Sequence, residues 1–298
     1  MTGRFISTGS VLVDLPLAMP HLPERGGDVL GSAQAPTPGG GFNVLAAAAR
    51  QQVTAALLSP IGDGPQGRSC VAALAEEGVE VLLPLVAGRD TGLCVTVTEP
   101  DGERTFLTAP GVEDSPTRAQ LDSAAVSPDD VVYVSGYDLA YPGGAVLTAW
   151  IADLPPEARV IFDPGPLVGE ISSELLVAVG KRSDVLTLNE QETAVLGGAS
   201  AIRALVGVRP VILFRDGPQG CLVDEGTTRT HISAPAVHAI DSTGAGDAHT
   251  GVLAAELLHG LPIHEAVRRA NTAAALTVTK AGPATSPTRE ELEADRKS

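Results

Sequence analysis

The sequence predicts an α/β fold: a mostly parallel central sheet flanked by helices on both faces, with a small β-sheet appended. Three observations carry this. Short apolar runs alternate with helical patterns over most of the 298 residues, the rhythm of βαβ units. Hydrophobic residues make up 44% of the chain but aromatics only 3%, so the core is built from Ala, Val and Leu, which suits closely layered helices on a sheet. Finally, two stretches break the rhythm and must form something else.

Taken in order, AALLSPIG (55–62) and SCVAALAEEG (69–78) read as strand and helix, as do VVYVSG (131–136) and GGAVLTAWIADL (143–154). VIFDP, DVLTLN, PVILF and CLV follow as strands at intervals that leave room for helices. Residues 11–36 read as loop-rich and weakly helical, and TGLCVTVTEPDGERTFLT (91–108) as an antiparallel hairpin around its PDGE turn. Together these two stretches are expected to form the small sheet. From about residue 243 the pattern is helical: GAGDAHTGVLAAELLHG ends at a glycine, Pro262 opens PIHEAVRRANTAAALTVTKAG, and Gly282 stops it. No linker or composition break divides the chain, so one domain over 1–298 is expected.

Lys+Arg 20 against Asp+Glu 36 gives a formal charge of -16. That excludes a broad basic face for nucleic acid and disfavours an anionic membrane surface. Cys70, Cys94 and Cys221 are widely spaced and contain no CxxC pair, which points to buried free thiols rather than disulfides or zinc. No stretch approaches the roughly 18 apolar residues of a membrane span, and a soluble cytoplasmic protein is expected.

The most informative stretch is Ala239-Ile240-Asp241-Ser242-Thr243-Gly244-Ala245-Gly246-Asp247-Ala248. A strand (AVHAI) is expected to run into a small-residue turn that opens a helix, leaving the N–H groups of Gly244, Ala245 and Gly246 free at the positive end of a helix dipole. That is anion-binding geometry. Asp247 falls in the first turn, where a carboxylate either caps the helix or faces the anion.

DSTGAGDA resembles the signature of the PfkB/ribokinase family of carbohydrate kinases, and further motifs agree in order and spacing. PGGGFNVLAAAARQ (38–51), preceded by a strand carrying Asp14, is similar to the family's Gly-Gly-x-x-x-Asn segment. LNEQE (188–192) resembles its Asn-x-x-Glu element, RDGPQG (215–220) its Gly-x-x-Gly nucleotide turn, and Asn271 with the following Ala-rich helix and GPATSPT its C-terminal helix. The resemblance spans essentially the whole chain and implies a ribokinase-like fold, with segments 11–36 and 91–108 as a β-sheet lid that would pair two subunits in a homodimer.

The resemblance also implies roles. Asp247 would take the acceptor hydroxyl proton and the Gly244–Gly246 amides would form the anion hole. Asp14, Asn43 and the backbone at Gly39, Gly40 and Gly41 would hold sugar hydroxyls; Asn43 also reads as a helix N-cap. Asn189, Glu192, Arg215, Gly217, Gly220 and Asn271 would bind ATP, with Glu192 reaching Mg²⁺ through water. Asp241, Thr243, Gly282 and Ser286 resemble a monovalent-cation loop, for K⁺. Three positions depart from the family: Arg215 replaces a common Thr, Gly40 stands where ribokinases proper have Lys, and His249 replaces an aromatic and reads as a packed side chain.

Gly62-Asp63-Gly64-Pro65-Gln66-Gly67 spells G-x-G-x-x-G, with Glu80 beyond it. It is not the first βα turn, Pro65 obstructs backbone approach and Asp63 would oppose a pyrophosphate, so it reads as a loop on the substrate side. The expected activity is ATP-dependent phosphorylation of a hydroxymethyl group of a small sugar or sugar acid. Alternatives are a nucleoside or sugar-phosphate kinase of the same family, an NAD(P)-linked oxidoreductase, and a non-catalytic sugar sensor. Phe42 and Phe106 are the candidates for stacking a base, and Arg25, Arg89 and Arg104 for binding a phosphorylated acceptor.

Overall fold

The computed structural model describes residues 3–295. Its strands are β1 (Phe5–Ser7), β2 (Val11–Ala18), β3 (Ser32–Ala33), β4 (Thr37–Gly40), β5 (Ala55–Leu57), β6 (Glu80–Val81), β7 (Leu93–Thr98), β8 (Arg104–Ala109), β9 (Val131–Ser135), β10 (Arg159–Asp163), β11 (Val185–Leu188), β12 (Val211–Arg215), β13 (Cys221–Asp224) and β14 (Arg229–Ile232). Its helices are α1 (Gly41–Ala49), α2 (Pro65–Glu76), α3 (Arg118–Asp122), α4 (Gly136–Ala140), α5 (Gly144–Ala152), α6 (Ser173–Arg182), α7 (Glu190–Val195), α8 (Ala199–Val206), α9 (Ala245–Leu258), α10 (Ile263–Thr277) and α11 (Arg289–Asp295).

Nine strands form the main sheet in the order β14-β13-β12-β11-β10-β9-β1-β5-β6. It is parallel from β6 to β12, and only the β12–β13 and β13–β14 pairings are antiparallel. Alternate residues of each strand face opposite layers. Phe5, Val131, Ile161, Val185 and Leu213 pack on one side with α1, α9 and α10. Ile6, Val132, Phe162, Leu186 and Ile212 pack on the other with Leu147, Ile151, Val179 and Ile202 of the intervening helices. Burial on both faces explains why these strands read as continuous apolar runs.

The second sheet has five strands, β3-β2-β7-β8 with β4 also paired to β2. The hairpin β7–β8 forms as expected; its turn closes through Gly102 N–H to Glu99 O at 2.9 Å, with Gly102 at φ +87°. Residues 11–36 differ from the weakly helical expectation, because they open with the eight-residue strand β2, which pairs parallel to β7 and antiparallel to β4. The alternating VLVDLPLA pattern is a strand pattern that Pro16 does not break, since the second sheet is short and part-exposed there.

Two further boundaries are corrected. AVHAI is extended but belongs to no ladder: the N–H groups of Ile240 and Asp241 both turn to Val278 O, at 2.7 and 3.2 Å. Helix α10 stops at Thr277, and Gly282, at φ +101°, lies in the loop that follows. The three cysteines are buried free thiols. No helix among the described residues is long and apolar enough to cross a membrane.

Candidate active site

A cavity of about 420 Å³ lies where the carboxyl ends of the parallel strands meet the small sheet. This is the crevice in which open α/β sheets bind ligands. Ser10, Ser135, Asp163, Asn189 and Arg215 each stand at or just beyond the end of a parallel strand, and Asp14, Cys94, Phe106 and Thr108 come from the small sheet. Of the residues predicted from sequence, Asp14, Gly40, Gly41, Asn43, Asn189, Glu192, Arg215, Thr243, Gly244, Gly246 and Asp247 line the cavity.

The floor is made by α9. Gly244, its N-cap, sits at φ +76°, and a Cβ there would lie 1.9 Å from Pro283 O, so only glycine fits. Helix geometry leaves the first N–H groups without intrahelical partners, and those of Gly246 and Asp247 find no backbone acceptor among the described residues. Ala245 differs from expectation: its N–H faces Ser242 O at 3.4 Å and the residue does not line the cavity.

Asp247 and Asn43 meet because α1 crosses α9 closely. At Gly251 a Cβ would stand 2.5 Å from Val44 O, and the absence of one lets the helices approach until Asn43 Nδ2 donates to Asp247 Oδ2 at 3.0 Å. Burial pushes the Asp247 carboxyl up to about 6, against the lowering effect of the Asn43 hydrogen bond. Asp14 reaches the cavity from β2, its carboxylate lying over Gly39, where a Cβ would be 2.0 Å away. Burial raises it to about 6 as well. Gly39 itself is not on the wall.

Opposite them is an ion cluster that sequence reasoning named only in part. Arg215 Nη2 lies 3.1 Å from Asp163 Oδ2 and 3.5 Å from Glu192 Oε2. Its other terminal nitrogen sits over the helix start, 2.8 Å from where a Gly246 Cβ would be, and its buried Nε–H has no acceptor. Burial would depress this guanidinium, but the flanking Asp163 and Glu192 hold it charged. Glu192 is also half of a capping box: Asn189 N and Nδ2 donate to its two oxygens at 2.7 and 2.8 Å, and Glu192 N donates back to Asn189 Oδ1 at 2.8 Å. Burial and then Asp163 push the Glu192 carboxyl up to about 7.

Some predicted residues lie elsewhere. Gly217, Gly220 and Asn271 are off the cavity wall; Asn271 is buried and its Nδ2 donates to Ile232 O at 2.8 Å, fastening α10 to β14. Asp241, Gly282 and Ser286 are set behind the wall. His249 is a buried packed residue, pushed down to about 3 by burial and by Arg215. Phe42 is in the core, and of Arg25, Arg89 and Arg104 only Arg104 lines the cavity.

The segment Gly62–Gly67 is no anion site and does not reach the cavity. The start of α2 is already filled by the Asp90 carboxylate, which accepts from Gln66 N at 3.2 Å and Gly67 N at 2.9 Å.

Sequence reasoning missed Asp163, Tyr133, Tyr137 and Tyr141, all on the wall. Asp163 ends β10, and Tyr137 and Tyr141 follow β9, so position at a strand's carboxyl end was the signal available for them; Tyr133 is the middle residue of β9. It also missed Asp138, fully buried behind Ser10 and accepting from Ser10 N at 3.1 Å and from its hydroxyl. Burial pushes that carboxyl up to about 7.

A free helix start on a strand-end crevice, with a buried carboxylate over it and an arginine beside it, can hold an anion and accept a proton. The chain belongs to the pfkB family of carbohydrate kinases, whose model matches residues 4–290. It is 32% identical over 295 residues to the uncharacterised sugar kinase YegV of Escherichia coli, covering 95% of this chain and 91% of that protein. Among solved structures it resembles the ribokinase of Thermotoga maritima, with a TM-score of 0.84 at 22% identity over 100% of both chains. The Arabidopsis thaliana ribokinase solved with ribose and ATP gives 0.77 at 21% identity over 99% of this chain and 98% of that one. The fold is ribokinase-like.

Proposed function

We propose that the chain transfers a phosphoryl group from ATP to a hydroxymethyl group of a small, uncharged sugar. One observation carries the reading: the Asp247 carboxylate, fixed by Asn43 and raised to about 6, stands at the free start of α9 with Arg215 beside it. Phosphoryl transfer needs a proton acceptor near the hydroxyl and donors around the developing charge, and little else from the protein.

The nucleotide would supply the phosphoryl group, and Mg²⁺ would offset charge on its phosphates. The uncommitted N–H groups at Gly246 and Asp247 and the Arg215 Nη1 that sits over the helix start fit that anion. Asp163 and Glu192 would hold the ion through water, since no cluster of three metal-binding side chains occurs among the described residues. Asp247 takes the proton from the acceptor hydroxyl, Asn43 keeps its carboxylate aimed, and Asp14 accepts from neighbouring hydroxyls.

Charge selects the acceptor. The charged residues on the wall are Asp14, Asp163, Glu192, Asp247, Arg104 and Arg215. Both cations face partners, Arg104 towards Asp241 and Arg215 towards Asp163 and Glu192. No side-chain cation on this wall is left for a carboxylate or phosphate on the sugar, which supports a neutral sugar over a sugar acid or sugar phosphate. A second reading, a nucleoside acceptor, is favoured by Tyr137, Tyr141 and Phe106 on the same wall. The proposal includes a homodimer through the lid, where Leu107 of β8 is 57% exposed; light scattering of a Leu107→Asp chain against the parent tests it.

An ADP-release screen over sugars, sugar acids, sugar phosphates and nucleosides with Mg²⁺ tests the acceptor. Turnover with neutral sugars is expected; a folded chain that releases ADP with none of them would end the proposal.

A further inference from the structure

Of the four residues with which the family resemblance marks a monovalent-cation loop, Asp241, Thr243 and Gly282 meet, and Ser286 is tied to Arg50. The loop before α9 packs on the loop after α10, and Gly282 N donates to Asp241 Oδ2 at 3.0 Å. Their oxygens, however, already have donors. Asp241 Oδ1 accepts from Thr243 N at 2.9 Å and from the Thr243 hydroxyl at 2.6 Å. The Gly282 carbonyl shares the Thr285 hydroxyl with Thr277 O, each at 3.2 Å. Arg50 Nη1, at the end of α1, donates to Ser286 O at 3.0 Å, to Ser286 Oγ at 3.2 Å and to Ala284 O at 2.8 Å.

The charge is met too. Arg104, the first residue of β8 in the lid, brings Nη1 to 3.4 Å from Asp241 Oδ1 and Nη2 to 3.2 Å from Ser242 Oγ. Burial would raise the Asp241 carboxyl, but the Thr243 and Gly282 donors and Arg104 hold it below its ordinary value. An oxygen-held cation needs lone pairs that no donor has taken, whereas both carboxylate oxygens of Asp241 and both oxygens of Ser286 already accept from protein donors. Arg50 has Glu77 as its ionic partner, so Arg50 contributes donors to this loop and Arg104 contributes the net charge.

We propose that Arg104 and Arg50 replace a monovalent cation at the loop that opens α9, so that the chain binds its nucleotide without potassium. This rests on the kinase reading. The charge that orders the anion-binding loop then arrives on the lid rather than from solution.

The test is calorimetric titration of Mg-ADP into the full chain at constant ionic strength in potassium, sodium or N-methylglucamine chloride, with thermal unfolding in the same buffers. The parent chain should show the same Kd within about twofold, and the same Tm, in all three salts. Arg104→Met should weaken ADP by about fivefold in N-methylglucamine, the scale of one charge at a helix start, and regain affinity in potassium. Arg104→Lys, which keeps the charge, should track the parent and guards against a folding defect in the methionine variant. A parent Kd that tightens fivefold or more with potassium would overturn this proposal alone, as would an Arg104→Met chain matching the parent in N-methylglucamine. Absence of ADP binding in every salt would overturn the kinase reading, and this inference with it.

Discussion

Asn43 and Asp247 lie 204 residues apart in the chain and 3.0 Å apart in the fold, amide nitrogen to carboxylate oxygen. The contact exists because Gly251 lets α1 and α9 touch, so a packing glycine sets the position of the proposed base.

Asp247→Asn should lower kcat by about 10²- to 10⁴-fold, the usual contribution of a general base, and raise Tm. Burial makes this carboxyl a weaker acid in the folded chain than in the unfolded one. Its ionisation therefore opposes folding, and stability declines as pH rises through about 6. Removing the charge should add about 2 °C to Tm at pH 8 and less at pH 4. Calorimetry at the two pH values checks the sign.

For the same reason kcat/KM of the parent should fall on the acid side with an apparent pKa near 6, because Asp247 and Asp14 both must be ionised and both are raised to about that value. Asp14→Asn should raise the acceptor KM by about tenfold, the worth of a hydrogen bond to a charged group, and leave the KM for ATP unchanged. Steady-state kinetics in each substrate separates the two.

Arg215→Thr should cost about 10²-fold in kcat, comparable to losing one preorganised donor to a developing charge. It also leaves Asp163 and Glu192 facing each other without their shared cation, so Glu192 should bind a proton more readily and the acid limb should move to higher pH. A pH profile that stays in place would contradict the ion-cluster account.

Glu256 is wholly buried in α9 and pairs with Arg269 at 2.7 Å and Arg289 at 3.5 Å. Glu256→Ala should destabilise the chain by about 3 kcal/mol, because the half-buried Arg269 loses its carboxylate and Arg289 is left with Glu293 alone. Urea unfolding measures this; activity per folded molecule should be unaffected.

The parts of the fold legible in sequence are those written locally. Apolar runs of four or five residues gave away the buried parallel strands, and the PDGE turn gave away β7–β8. The glycines before Asp247 announced a helix start with free N–H groups, and the structure places Gly244 there in the left-handed region. Where the reading failed, partners distant in sequence decided the outcome. AVHAI has strand composition, but its N–H groups found Val278 O instead of a neighbouring strand. Residues 229–232 became an edge strand only because β13 was there to pair with. Asn189 and Glu192 were found through the family resemblance of LNEQE, whereas Asp163 was not, since nothing local marks it; β10 merely ends there. The charge pairing of Arg104 with Asp241 spans 137 residues and has no local trace.

The parallel pairing of β2 with β7 has an evolutionary corollary. Two parallel neighbours cannot be joined by a tight turn, and here the chain between them passes through α1, β5, α2 and β6 of the main body before returning. The cover is therefore stitched into the enzyme twice. It cannot be excised or grafted as a cassette, and deleting the β7–β8 hairpin would strip β2 of a partner along most of its length. Changes of acceptor in a chain built this way have to come by point substitution on the inner face of the cover, at positions such as Cys94, Phe106 and Thr108, and not by exchange of the cover itself.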